Sequence, residues 1–372
     1  MPRLTGARGS GVIVAMRPSL ALALLTAACA APRLNSFHLE GQVLDRGALP
    51  ERIGFGSCAD QNRPQPILRR VVERDPDLFV YLGDNIYGDT EDMAVLRGKY
   101  FTLGCRPEFQ ALRDHCPLLA TWDDHDYGAN DSGRRYAMKA ESREIFLDFW
   151  REPEDSPRRR HEGVHDAQLF EENGRRLQVI LLDTRTFRDD LLRAGENPEP
   201  PFKNDYRPNT SPDATILGPA QWAWLREQLL VPADLRILAT SIQFGHSYNG
   251  WESWTNVPLE RRRMIDLIGE TRANGVVFIS GDVHWGEINR QDVPGGYPLY
   301  DVTASGINND WDVIEPSARR VVAPVARYNV GFIEVDWSAD DPAVSLISMD
   351  VEGREANRID LRLSDLTHPG TR

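Results

Sequence analysis

Four short stretches carry the residues of this chain that can do chemistry: Ser57-Cys58, Gly83-Asp84-Asn85-Ile86-Tyr87, Asp123-Asp124-His125-Asp126 and Gly281-Asp282-Val283-His284. Together they offer a thiolate, carboxylates, a phenolate and imidazoles, the donor mixture of a transition metal beside a harder cation. One carboxylate has two oxygens, so Asp84 is the natural bridge between two ions. Tyr87 follows it by three residues, where a turn can fold a phenolate back onto the same ion, and phenolates favour ferric iron. A lone Gly-Asp at a turn is usually only a turn; the ordered set is what carries the argument. Ionised carboxylates cost roughly several kcal/mol each to bury alone, so a group of them converging on one place requires cations between them.

Each stretch sits at the end of a short apolar run that reads as a buried strand of a parallel sheet. Arg52 to Ser57 runs into Cys58, Asp77 to Tyr81 into Asp84, Leu118 to Trp122 into Asp123, and Val276 to Ser280 into Asp282. Two further runs, Leu177 to Asp183 and Leu235 to Ser241, share the layout, and the first leads to Thr184-Arg185. Open α/β sheets place their chemistry beyond such strand ends. Helical spacing fills the intervals at 66–74, 93–100, 108–115, 139–150, 221–229 and 259–271, which makes βαβ units with right-handed crossovers. In the segment 139–150, Ile145, Phe146, Phe149 and Trp150 form the apolar side. From Tyr328 to Leu363 apolar and polar residues alternate, which predicts antiparallel closing strands. Three loops stand out: a charged one at 151–163, a long Pro- and Asn-rich one at 197–219 with the length of a functional lid, and an exposed-looking aromatic cluster of His246, Tyr248, Trp251 and Trp254.

The 372 residues, 41% of them hydrophobic, can bury a large core, arranged as one α/β domain over about 50–363 or as two smaller units. A net charge of -13 with no basic run argues against sequence-specific nucleic-acid binding. Residues 1–31 have the form of an export signal: Met16-Arg17, the apolar run Leu20 to Leu25, small residues to Ala31, then Pro32. Leu25-Thr26-Ala27-Ala28-Cys29 resembles a lipoprotein box, so either Cys29 is a lipid anchor or cleavage releases a soluble periplasmic or secreted protein. No run is long enough to cross a bilayer. Export favours disulfides, and Cys105 with Cys116 can close a small loop, leaving Cys58 as the spare thiol.

From Phe55 to His284 the ordered motifs resemble those of the PhoD-like alkaline phosphatases, within the calcineurin-like metallophosphatase superfamily. Supporting matches are Leu182-Asp183-Thr184-Arg185 and the segment from Trp251 to Arg263. The resemblance implies an α/β fold of four αββα layers, two mixed sheets flanked by helices, and hydrolysis of phosphate monoesters or diesters. It implies Fe3+ held by Cys58, Asp84, Tyr87 and His284, and Ca2+ held by Asp84, Asp124 and Asp282, with Zn2+ or Mn2+ as alternatives. The superfamily's usual Asp-x-His, Asn-His and Gly-His-x-His are replaced here by Ser57-Cys58, Asp124-His125 and Gly281-Asp282-Val283-His284, the PhoD-like variants. His125 is similar to a histidine near the leaving group that is not a metal ligand. A pair of cations then clamps a small-molecule or lipid phosphate ester and readies water for in-line attack, and His125 protonates the departing alkoxide. Arg185 and Asn85 are candidate substrate contacts, with a structural salt bridge the other reading of Arg185. Asn130 and Asp131 are candidate outer calcium ligands, and His246 is either a ligand or a loop residue. The competing function is a metal-binding surface lipoprotein without catalysis, against which the unliganded His125 argues.

Overall fold

Short buried strands alternate with helices that need only one apolar face, and the order of the two settles the architecture. In the computed structural model, which describes residues 41–370, the chain runs β1 (Arg52–Gly56), α1 (Ile67–Glu73), β2 (Leu78–Leu82), α2 (Met93–Gly104), α3 (Pro107–His115), β3 (Leu118–Thr121), α4 (Asp124–Tyr127), α5 (Lys139–Phe149), β4 (Asp166–Glu172), β5 (Arg175–Leu181), β6 (Leu192–Arg193), β7 (Tyr206–Arg207), α6 (Gly218–Leu230), β8 (Leu235–Ala239), α7 (Pro258–Thr271), β9 (Val276–Ser280), β10 (Gly286–Gln291), β11 (Leu299–Ala304), β12 (Asn329–Asp336), β13 (Ala343–Asp350) and β14 (Glu355–Arg362). The expected export signal with Cys29, and His38, lie outside the described residues. Local chemistry sets the helix starts. The Asp92 carboxylate caps α2 by accepting from Ala94 N at 2.8 Å, and α3 and α7 open on Pro107 and Pro258, whose missing N–H costs nothing there.

Two six-stranded mixed sheets result, ordered β14-β13-β12-β1-β2-β3 and β10-β11-β9-β8-β5-β4, with a small β6-β7 hairpin beside them. In the first, β1, β2 and β3 are parallel, and β12 joins β1 antiparallel to carry the closing strands. In the second, β5, β8, β9 and β11 are parallel. The period-2 alternation of β2 shows how the layers stack. Leu78, Val80 and Leu82 join a core that includes Val179, Leu181 and Ile237 of the second sheet, whereas Phe79 and Tyr81 join a separate core with Leu96, Phe109 and Phe146 of the flanking helices. Trp222 and Met264 bring α6 and α7 onto the second sheet. The order helix, sheet, sheet, helix is the expected four-layer αββα sandwich.

Several expectations change. Cys116 is a buried free thiol, and Cys105 is exposed. They lie at opposite ends of the nine-residue α3, a separation of about 13 Å at 1.5 Å per residue, beyond the reach of a disulfide. The aromatic loop is less exposed than its composition implies: Trp254 is fully buried, its Nε1–H donating to Thr240 Oγ1 at 2.9 Å. The charged loop at 151–163 likewise buries Arg158, which donates to Val164 O and Ala120 O, both at 2.7 Å. Among the described residues no helix is long and apolar enough to cross a membrane.

Candidate metal centre

The carboxyl ends of the parallel strands from both sheets meet along one edge, and two glycines let them come close. A Cβ on Gly83 would lie 2.5 Å from Asp123 Cβ, and one on Gly281 would lie 2.3 Å from Ser57 Oγ. Thr121 Oγ1 donates to Leu182 O at 2.7 Å, tying the end of β3 to that of β5. Cys58, Asp84, Asp282 and His284 all adopt positive φ, between 49° and 75°. Left-handed backbone at four non-glycine positions on a single edge is local strain that the surrounding fold maintains, a pattern that gathers at functional sites.

The donor atoms fall into overlapping groups, each within 4.8 Å: Cys58, Asp84 and His284; Asp84, Asp124 and His125; Asp123, Asp124 and Asp282; and Asp124, Asp131 and Glu252. Asp84 belongs to two of these groups, as a bridge must, and Asp124 belongs to three. Tyr87 Oη lies 3.3 Å from His284 Nε2, beside the sulfur-bearing group. Cys58 Sγ is 3.5 Å from Asp84 Oδ2.

Charge accounting shows that these residues fit cations. Asp84, Asp123 and Asp124 are buried, and Asp282 is half-buried. Asp84 Oδ1, Asp123 Oδ2 and Asp124 Oδ1 have no hydrogen-bond partner, although a buried carboxylate oxygen ordinarily finds one. Burial, with neighbouring acids adding to it, holds Asp84 and Asp282 well above the usual carboxylate range and takes Asp123 to about 7. Burial also pulls Asp124 upward, but Arg185 and His125 outweigh it and hold that group low. Burial raises the Cys58 thiol to about 11, so without an ion the site resists the thiolate that a metal binds, and lowers His284 to about 4, which keeps the neutral imidazole that a metal binds.

His125 belongs to one of the donor groups, but its other ring nitrogen is engaged elsewhere. Its Nδ1 pairs with Asp89 Oδ1 at 2.7 Å and its ring lies 4.4 Å from that of Tyr87. Burial pulls this imidazole down, but Asp84, Asp124 and Asp89 together raise it to about 11. Asn85, read as a substrate contact, turns inward instead: its Nδ2 donates to Thr121 O at 2.9 Å and to Asp126 Oδ2 at 2.5 Å. Arg185 is fully buried and pairs through its guanidinium with Asp123 and, at 2.5 Å, with Glu252. That is the structural salt bridge, not an arginine facing substrate. His246 is also buried, accepting from Tyr248 N at 3.1 Å and joining no donor group. Asp131 does join one and Asn130 lines the adjoining cavity, which has a volume of about 280 Å³. Sequence reasoning missed Asp123, Asp89 and Glu252 as functional residues. Asp123 stood inside a quoted motif, next to Asp124, and Asp89 lies two residues beyond the one that carries Asp84, whereas Glu252 lies between loop residues with no periodic signal.

The family of PhoD-like phosphatases matches residues 53–306, well over half of the chain. Alkaline phosphatase D of Bacillus subtilis (strain 168) is 31% identical over 268 residues, covering 62% of this chain and 45% of that protein, so the chain spans under half the length of this curated relative. Among solved structures, that of PhoD aligns with a TM-score of 0.60 at 18% identity, covering 88% of this chain and 74% of the other. A purple acid phosphatase from yellow lupin (Lupinus luteus) gives 0.58 at 10% identity, with coverage of 87% and 57%. GAP50, the anchor in the inner membrane complex of Plasmodium, gives 0.52 at 10% identity, with coverage of 84% and 89%. Likeness at those identities speaks to the fold.

Proposed function

From the premise that this chain belongs to the PhoD-like phosphatases, we propose that it is an exported, metal-dependent phosphoesterase acting on phosphate monoesters or diesters. The observation that carries the reading is the overlap of donor groups at Asp84 and Asp124, with orphaned oxygens on both. Cys58, Asp84, Tyr87 and His284 suit Fe3+, and Asp84, Asp124 and Asp282, flanked by Asp131, suit Ca2+. Bound there, the cations supply Lewis-acid stabilisation of phosphoryl charge and activation of water.

The chain's own residues supply positioning and a proton. Asp89 engages His125 Nδ1, which leaves Nε2 as the nitrogen able to donate. As the water oxygen forms its bond to phosphorus and the ester P–O bond breaks on the opposite side, Nε2–H passes its proton to the departing alkoxide, releasing the free alcohol. The second product is the phosphate, or the phosphate monoester when the substrate is a diester. The imidazole recovers its proton from the solvent pool that receives the proton of the attacking water. Arg185 and Arg188 act at one remove, balancing Glu252 and Asp123, and Arg185 also helps Asp124 keep its charge for cations. The Asp89–His125 pair favours catalysis over a scaffold that merely holds metal.

Replacing Asp84 removes the shared ligand. Asp84→Ala is expected to lower iron and calcium content together and to cut kcat/KM by more than about a hundredfold, since even supporting groups around metal ligands cost 10–100-fold. Elemental analysis paired with hydrolysis of p-nitrophenyl phosphate and its diesters checks this. Undiminished turnover in that variant refutes the reading.

A further inference from the structure

The cavity beside the donor groups has a second wall. Its lining includes Trp251, Trp285 and Trp311 as well as the carboxylates, and no lysine or arginine. Trp285 is buried, Trp251 half-buried, and Trp311 is 47% exposed, the one exposed tryptophan among the described residues. A large apolar side chain left in water at a cavity mouth calls for an explanation.

Trp311 is not there because its loop is slack. Its backbone N–H donates to His284 O at 3.0 Å, and the same segment is tied to the other end of the site by Asn308 N donating to Cys58 O at 3.3 Å. The Asn308 side chain accepts from Asp60 N at 2.7 Å and donates to Asp60 O at 2.8 Å. Farther along, the Glu315 carboxylate accepts from Asn204 Nδ2 at 2.8 Å and pairs with Lys203, which joins this loop to the one bearing Asp205 and Tyr206. The backbone that carries this exposed indole is therefore tied to two candidate metal ligands, His284 and Cys58.

Resting on the phosphoesterase reading, we propose that Trp311 and Trp251 are specificity-determining residues that bind the organic group of the ester, and that the preferred substrate class carries an uncharged, flat aromatic group. Three observations select that class. Indole faces reward flat π-systems more than isolated methyl groups. No lysine or arginine lines the cavity, and Arg193 pairs with the lining residue Asp205 at 2.5 Å, so the lining itself offers a second phosphate or a carboxylate on the organic group no lysine or arginine partner. A cavity of about 280 Å³ accommodates one small ring system but not the paired chains of a lipid. The larger cavity of about 660 Å³ near Arg261 and Tyr297 shares no residue with the donor groups and does not extend this one.

The test uses the metal-loaded enzyme and p-nitrophenyl phosphodiesters with methyl, phenyl or dodecyl as the second substituent, so that all three share one leaving group. The wild type is expected to favour phenyl over methyl by about tenfold in kcat/KM, chiefly through KM. Trp311→Ala and Trp251→Ala each bring the phenyl-to-methyl ratio toward one, and Trp311→Phe restores most of it. A wild-type ratio near one, a ratio unmoved in both alanine variants, or dodecyl preferred over phenyl overturns the proposal and leaves the phosphoesterase reading intact. Absence of turnover on every ester overturns both.

Discussion

The contact between Asp89 and His125 gives the proton-donor role a quantitative test. Asp89 has φ 45°, a conformation that Asn tolerates almost as well as Asp, so Asp89→Asn removes the charge while keeping the backbone. The bond it alters, 2.7 Å from Asp89 Oδ1 to His125 Nδ1, is charge-assisted, a class worth about 1.5–3 kcal/mol. The Asp89 side chain is 40% exposed, and solvent screening places the contribution at the lower end of that range, about 1.5–2 kcal/mol. At about 1.4 kcal/mol per tenfold, that predicts a loss of roughly 10- to 30-fold in kcat. The loss should depend on the leaving group. An alkyl alkoxide needs its proton and should show the full effect, whereas p-nitrophenolate departs without one and should lose less than about threefold. The assay compares methyl phosphate and p-nitrophenyl phosphate, with metal content measured in parallel. Equal losses on both esters with unchanged metal would refute the role of His125 as proton donor and leave Asp89 as a support for the site alone.

Two predictions concern stability. Gly83→Ala puts a Cβ at φ +104° and 2.6 Å from Asp123 N, so denaturant unfolding should show a loss of about 2–5 kcal/mol, whereas Gly98→Ala inside α2, where nothing lies within 4 Å, should gain about 0.5–1 kcal/mol; equal effects at the two positions would remove the close-approach argument. His165 is buried and its ring is pulled down to about 3, first by burial and then by the charge of His161 stacked at 3.9 Å. Above pH 6.5 it is neutral both folded and unfolded; as pH falls from there toward 3, only the unfolded chain takes up the proton, and up to about 4 kcal/mol of stability is lost. His165→Phe, packing against Trp224 and Phe187, should lose correspondingly less over that window, read as the difference between two denaturation series; parallel series would contradict it.

The strand ends were legible because a parallel strand buried on both faces is a short unbroken apolar run, and β1, β2, β3 and β9 each end two residues before a donor. The edge strands were less so. β4 is mostly half-exposed and β14 alternates between exposed and half-buried residues, so neither contrasts with a charged loop. Asp84, Asp124, Asp282 and His284, which the fold brings together in groups that could hold a metal, drew attention because their neighbours in sequence repeat one pattern. Asn85 was misplaced for the same reason: position within a motif does not tell which way a side chain turns, and the Asp126 carboxylate that holds it inward lies on another strand's turn.

Arg185 shows the limit most clearly, because its role is decided by residues far from it in sequence. Read alone, an arginine just past a strand end beside a metal cluster is a phosphate clamp. In the fold it meets Asp123, 62 residues away, and Glu252, and Arg188 shares the second of these at 2.8 Å. The buried acids therefore divide into two classes. Asp123 and Glu252 pair with guanidinium groups, while among the described residues no lysine or arginine pairs with Asp84, which stays well above the usual carboxylate range. Asp124 lies between the classes, with Arg185 at 3.7 Å and one oxygen still without a hydrogen-bond partner. An arginine fixed in this way sets how much negative charge remains for cations, because a guanidinium cannot be deprotonated in a protein. The net charge of the centre is thus fixed by an internal ion-pair network before any ion arrives, and the ions it admits are those that neutralise what that network leaves over.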